Sequence, residues 1–268
     1  MPLLPLARAL ASETSGLTCL VVVVFCLIRW LNRPADRVRT EWLLVAVMLS
    51  IPLEAITRWI TIALATARST RYDLYIDRID ALAGSPAFAL GRIVAAHPLF
   101  QDVLSFTYDN LPLMLVAVFA THLWLASLDE AQFVLVAFAT NLAAAVPIYL
   151  LIPVSGPAFA FPSFPAAHLA AAPHAIHLAA VPNGIPSVHT STALLVLWFL
   201  WRWPLGRLVG VAYLGLTICG TLGSGQHYVF DLLCALPYTM AVLRISRRIH
   251  FAVPFSRTAE LEDALVNA

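Results

Sequence analysis

The chain has 268 residues, 60% of them hydrophobic and 12% charged, with a net charge of +1 and a mean hydropathy of +0.83. A water-soluble domain carries about 25% charged residues. A disordered or nucleic-acid-binding chain needs low apolar content and a strong charge imbalance, so all three classes are excluded.

Apolar runs near the ~20 residues that cross a bilayer predict an all-α, polytopic helical membrane protein. All 16 basic residues are arginine, which points to a high-GC coding bias rather than to chemistry. Cys19, Cys26, Cys219 and Cys234 lie in or beside apolar runs and read as small buried hydrophobes, not as a disulfide framework.

In chain order, seven apolar segments span 16–31, 42–66, 111–127, 131–152, 189–203, 206–223 and 228–245, the first and fifth short for a full crossing. No internal repeat of the kind that marks two-fold transporters is visible. Arg29, Arg33, Arg37 and Arg39 follow the first run instead of preceding it, so it reads as a reverse anchor with its N-terminus outside and not as a cleavable signal. The positive-inside rule then places Arg33, Arg37 and Arg39 in the cytoplasm, along with Arg202, Arg207 and the tail with Arg244, Arg247, Arg248 and Arg257. Connections 67–110, 153–188 and 224–227 face outward. The corresponding domain expectation is an extra span and cytoplasmic loop over 1–41, a membrane-embedded catalytic domain over 42–248 and a cytoplasmic tail over 249–268.

Within 67–110, Asp73, Asp77 and Asp80 sit at i, i+4 and i+7 and would line one helical face. Interleaved with Arg71 and Arg78, they read as the solvated face of an interfacial helix; contact with a head group or cation is the alternative.

The stretch 153–191 carries seven prolines together with Gly156 and Gly184, which prevents a continuous helix. It must be a structured loop whose free amides can bind an anion. It ends in Pro186-Ser187-Val188-His189, running straight into a span, with Ser187 placed as N-cap. Such a helix start suits phosphate. At the end of the next hairpin, His227 and Asp231 are spaced i, i+4. If both are helical, the carboxylate holds one ring nitrogen and leaves the other free as nucleophile or base. A lone histidine near an interface is usually structural, and His97, His122, His168, His174 and His177 are read so. His189 and the His227/Asp231 pair differ because the topology brings them to one depth on one side, where ionisable groups are costly and usually functional.

These residues resemble the type 2 phosphatidic acid phosphatase superfamily of membrane phosphatases and phosphotransferases, over roughly residues 70 to 245. The family's Pro-Ser-Gly-His motif appears as Pro186-Ser187-Val188-His189, and its terminal His-x-x-x-Asp as His227 to Asp231. The resemblance implies a six-helix core with one extra N-terminal span. Family phosphatases also carry a Lys-x6-Arg-Pro motif and a Ser-Arg pair seven and six residues before the second histidine. Here Gly220 and Thr221 stand in place of Ser-Arg, and no lysine or arginine occurs between Arg92 and Arg202. Pro153-Val154-Ser155-Gly156-Pro157 is similar instead to the Pro-rich element of inositol phosphorylceramide synthase, whose branch transfers head groups between lipids.

The resemblance implies that His227 attacks phosphorus to form a phosphohistidine, Asp231 orients it, and His189 protonates the leaving oxygen and then activates the acceptor. Ser187, Gly156, Pro157, Thr221, Gln226 and Tyr228 are the substrate-binding candidates. No metal or cofactor is expected. Two explanations for the missing cations stay open: Arg71, Arg78 or Arg92 folding over the site as a lid, or a phosphodiester substrate that carries less charge. A metal site built from His189, His227 and Asp231, and a transporter with a proton relay, are the competing readings. The expected partners are a phospholipid or polyprenyl phosphate and membrane lipids, with no nucleic acid. The expected location is a bacterial inner membrane, with the site outside and the C-terminus in the cytoplasm.

Overall fold

The computed structural model describes residues 13–33, 36–166 and 172–252. His168, Arg257, the side chain of Cys19 and all of the tail beyond residue 252 lie outside what is described.

Among the described residues the chain is all-α apart from one two-rung ladder. In order, α1 is Glu13–Asn32, α2 Arg37–Ala67, β1 Thr70–Arg71, α3 Asp73–Ala81, α4 Pro86–Ala96, α5 Pro98–Asp109, α6 Leu111–Leu125 and α7 Leu128–Leu151. Then follow α8 Pro157–Ala160, β2 Ile176–His177, α9 Val188–Leu200, α10 Pro204–Gly223 and α11 Val229–Ala252. Strands β1 and β2 pair antiparallel, Thr70 with His177 and Arg71 with Ile176.

Helices α7 and α10 and the Val229–His250 part of α11 are long and apolar enough to cross a membrane. The pair α3 and α4, bent by 87°, meets the same test only when joined, as does the pair α5 and α6. Helix α9 and parts of α1 and α2 are shorter apolar helices. Every predicted apolar segment coincides with a helix. The connection 67–110, read only as a loop with an acidic helical face, is three helices, punctuated by prolines at the first turns of α4 and α5 where a missing N–H is tolerated.

The chain divides into two compact units, Met1–Ala55 with Pro112–Thr140 and Ala241–Ala268, and Ile56–Leu111 with Asn141–Met240. In the first, Arg29 pairs with Asp36 at 2.7 Å and donates to the Leu123 carbonyl, and His250 meets Asp129 at 3.2 Å. Buried His122 sits against the Val118 carbonyl. Cys26, Cys219 and Cys234 are free thiols.

The second unit holds every candidate site residue. Helix α9 is buried along most of its length, from Thr190 to Leu200. It packs on α10, which packs in turn on α4 and α5. Helix α11 turns Asp231, Tyr238 and Thr239 inward and leaves Leu233, Leu236 and Met240 exposed, the distribution a lipid solvent rewards. In hydrocarbon an unpaired polar group costs several kcal/mol, and the buried polar side chains between α7, α9 and α11 pair with one another. Asn141 of α7 donates to Thr192 and accepts from Ser191 of α9, and Thr239 of α11 donates to Ser191. Three helices are thereby locked in register just below His189. An apolar cluster of Ile76, Val154, Ile185 and Tyr228 joins α3 to the three loops around the histidines.

Candidate active site

Ser187 is the N-cap of α9: extended backbone, with Oγ accepting from the Thr190 N–H at 3.3 Å. Its own N–H donates to the Asp231 carbonyl at 3.3 Å, tying the start of α9 to α11. His189, two residues on, stacks its ring on Tyr108 of α5, with centroids 4.0 Å apart and planes at 17°.

His227 lies outside the helix that carries Asp231, so the condition under which the two would share a helical face is not met. A tight turn intervenes, in which the Gln226 and His227 amides donate to the Thr221 carbonyl, and α11 begins only at Val229. The turn nevertheless brings the pair together. His227 Nδ1 lies 3.1 Å from the Gly184 carbonyl and 3.4 Å from Asp231 Oδ2. Both neighbours are acceptors, which assigns the proton to Nδ1 and leaves Nε2 with a free lone pair. Asp231 Oδ2 also accepts from the Tyr228 N–H at 2.9 Å. Its Oδ1 is buried without a hydrogen-bond partner among the described residues. The His189 and His227 ring centroids are 6.3 Å apart, with the planes at 57°.

Backbone contacts knit three loops around this pair. Gly184 N–H donates to the Val154 carbonyl at 2.7 Å and Ala158 N–H to the Gly225 carbonyl at 2.9 Å. Gly156 has φ +109°, and a Cβ there would stand 2.2 Å from the Gln226 carbonyl oxygen, so no other residue fits. Pro157 opens the single turn of α8.

The acidic face of α3 is not solvated. Asp73, Asp77 and Asp80 are 0%, 1% and 4% exposed. Asp73 accepts from the Ser155 N–H at 3.1 Å, the Gly156 N–H at 2.7 Å and the Tyr228 hydroxyl at 3.3 Å. Asp80 accepts from the first two amides of α11, Val229 at 2.8 Å and Phe230 at 3.1 Å. The amides around Gly156, expected to be open to an anion, are therefore already occupied by a carboxylate of the same chain. The reading as a solvated face fails because helical spacing tells which residues share a face, not what covers it.

Nor is Arg71 a lid. It is fully buried and donates to Ser155 Oγ at 3.1 Å and to the carbonyls of Arg68, Thr70 and Ala180. Burial pulls its guanidinium below the ordinary arginine range, and the neighbouring Asp73 carboxylate works in the opposite direction. Arg78 and Arg92 are exposed.

A cavity of about 420 Å³ adjoins the histidines, lined by Gln101, Ser105, Tyr108, Asp109, Gly220, Ser224 and Gln226 among others. Tyr108 and Gln226 connect it to His189 and His227. Of the other substrate-binding candidates, Thr221 is fully buried and donates its hydroxyl to the Ile218 carbonyl, and Tyr228 gives its hydroxyl to Asp73. Among the described residues, no three His, Cys, Asp or Glu side chains converge as metal ligands do. Asp73, Asp80 and Tyr108 were missed as site residues. The acidic spacing was a signal for the first two, and nothing in the sequence marked Tyr108.

No match was found among curated proteins or among solved structures. The family model described as PAP2 superfamily matches residues 76–245, a segment that includes α3 from Ile76 onward, the Pro-rich loop, both histidines and Asp231. This chain therefore belongs to the PAP2 superfamily, a group of phosphoesterases and phosphotransferases, and is an all-α integral membrane member of it.

Proposed function

We propose that the protein cleaves or transfers a lipid-linked phosphate at the extracytoplasmic membrane face, through a phosphohistidine on His227. The observation that carries this reading is the paired geometry of the histidines: His227 presents Nε2 while Nδ1 is held by two acceptors, and His189 lies one ring-to-ring gap of 6.3 Å away. A phosphoryl group between them is attacked by Nε2 of His227, and the P–O bond to the leaving group breaks as His189 gives that oxygen a proton. The imidazolium formed at His227 is stabilised by Asp231. His189, now neutral, takes the proton from an acceptor hydroxyl or water, whose oxygen attacks phosphorus and releases His227. General acid–base assistance of this kind is worth about 10²–10⁴-fold. The phosphate oxygens meet the start of α9, whose first amides have no acceptor within the helix.

Head-group transfer, in the manner of the inositol phosphorylceramide synthase branch, is favoured over hydrolysis of a monoester. The cavity beside the histidines has Gln101, Ser105, Asp109, Ser224 and Gln226 as its polar side chains besides Tyr108, and no arginine or lysine among the described residues. A phosphodiester with a neutral or cationic head group suits that lining better than a second anion. Simple hydrolysis of a lipid or polyprenyl phosphate is the second reading, supported by room at Gly220, where an added Cβ meets nothing closer than 3.5 Å. A bacterial inner membrane, cytoplasmic arginine-rich connections and a catalytic domain over 42–248 complete the proposal.

The deciding experiment incubates purified protein with a fluorescent phosphatidic acid and a fluorescent phosphodiester lipid, each with and without a lipid alcohol acceptor. Transfer of the head group to the acceptor supports the first reading, and release of free phosphate the second. Full activity in both His189→Ala and His227→Ala would refute both.

A further inference from the structure

We infer that Asp73 and Asp80 are positioning residues of the active site: two buried carboxylates on α3 that hold the Pro-rich loop and the first turn of α11 in place around the histidines. The inference rests on His227 and Asp231 being the reacting pair, and it adds residues outside both recognised motifs.

Seven residues separate the two carboxylates, two helical turns or about 10 Å, so they face the same way and reach two different segments. Asp73 takes the amides of Ser155 and Gly156 and the hydroxyl of Tyr228, the residue next to His227. Asp80 takes the amides of Val229 and Phe230, two of the three residues inside the His227–Asp231 interval. The 3.4 Å contact between His227 and Asp231 spans a turn, not a regular helix, so its length depends on how Tyr228, Val229 and Phe230 are held. Arg71 secures Ser155 from its other side. Each carboxylate oxygen of Asp80 has its own amide, which fixes the direction as well as the position of the helix start.

The charge matters as well as the shape. Unoccupied, the amides of Gly156 and of α11 would each attract an anion. With carboxylates already there, the helix start left for a substrate phosphate beside the histidines is that of α9. Loss of either carboxylate should misplace the nucleophile and offer the phosphate a wrong seat, slowing the chemical step more than it weakens binding.

The test uses full-length protein in lipid vesicles with the same two fluorescent probes, comparing wild type with Asp73→Asn, Asp80→Asn and Asp80→Glu. The expected result for both Asn variants is a kcat at least tenfold lower per folded molecule, with KM within about twofold and slower formation of the acid-labile phosphoenzyme. Asp80→Glu, which keeps the charge, should regain part of the rate. Wild-type kcat in both Asn variants, or a loss that only follows the folded fraction, overturns the inference. Where Asp73→Asn does not fold, Tyr228→Phe probes the same contact, and an unchanged kcat there counts equally against it. Amide hydrogen exchange supplies a readout independent of turnover. Asp73→Asn should speed exchange over 153–158 and Asp80→Asn over 224–232, and unchanged protection overturns the brace. A wild-type protein that turns over neither probe and traps no phosphoenzyme refutes the functional reading, while the exchange result still judges the brace.

Discussion

Two helices bring the catalytic candidates together, and their starts are built in opposite ways. At α11 the first amides are met by carboxylates: Val229 and Phe230 by Asp80, and Tyr228 just before them by Asp231. At α9 the side-chain cap is a neutral hydroxyl, Ser187 on the Thr190 amide. A carboxylate at a helix start stabilises it by about 0.3–1 kcal/mol through the helix dipole, and more where partly buried. The difference teaches that an anion preference can be satisfied from within or left open, and that here the open one lies beside His189.

The largest effect that could break this contrast is loss of the histidines themselves. His227→Ala should abolish phosphoenzyme formation and lower kcat by at least about 10³-fold, and His189→Ala should lower it by about 10²–10⁴-fold, read as turnover of a fluorescent lipid phosphate. Next comes Gly156→Ala. A side chain at φ +109°, with its Cβ 2.2 Å from the Gln226 carbonyl, must displace the turn before α11, and backbone strain of this kind costs about 1–3 kcal/mol before any clash. Thermal unfolding should therefore shift down clearly, with activity falling in parallel. The sharpest variant is Ser187→Asp, which makes the start of α9 resemble that of α11. Asp caps as well as Ser, so the thermal transition should move little, while KM for an anionic lipid should rise at least tenfold, about 1.4 kcal/mol. A KM unchanged in Ser187→Asp would show that the phosphate is not seated there. Smallest of all, Arg78→Ala and Arg92→Ala should leave kcat and KM within about twofold, because neither side chain is drawn into the histidine cluster.

Much of this was legible in the chain. Apolar runs located the helices, and a serine ahead of an apolar run announced the cap of α9. The His227 and Asp231 spacing announced their contact, although the chain reaches it by a turn and not by the helical face that the spacing first suggests. What was not legible was the fate of α3. The positions of Asp73, Asp77 and Asp80 give a face with correct periodicity, but a polar face is equally compatible with water and with buried amides. The choice depends on partners 82 to 155 residues away. Tyr108 was invisible for a related reason: an aromatic residue in an apolar stretch has no local feature that separates one stacked on a histidine from one facing lipid.

The reach of those contacts also sets when the site can exist. The chain is made from its N-terminus, and α3 emerges long before its partners: Ser155 and Gly156 follow Asp73 by 82 and 83 residues, and Val229 and Phe230 follow Asp80 by 149 and 150. A carboxylate without partners is costly to bury, so the Asp80 end of α3 must remain where water can reach it until α11 arrives. Assembly around the histidines thus waits for α11, and a chain released before it holds Asp80 without the amides of Val229 and Phe230.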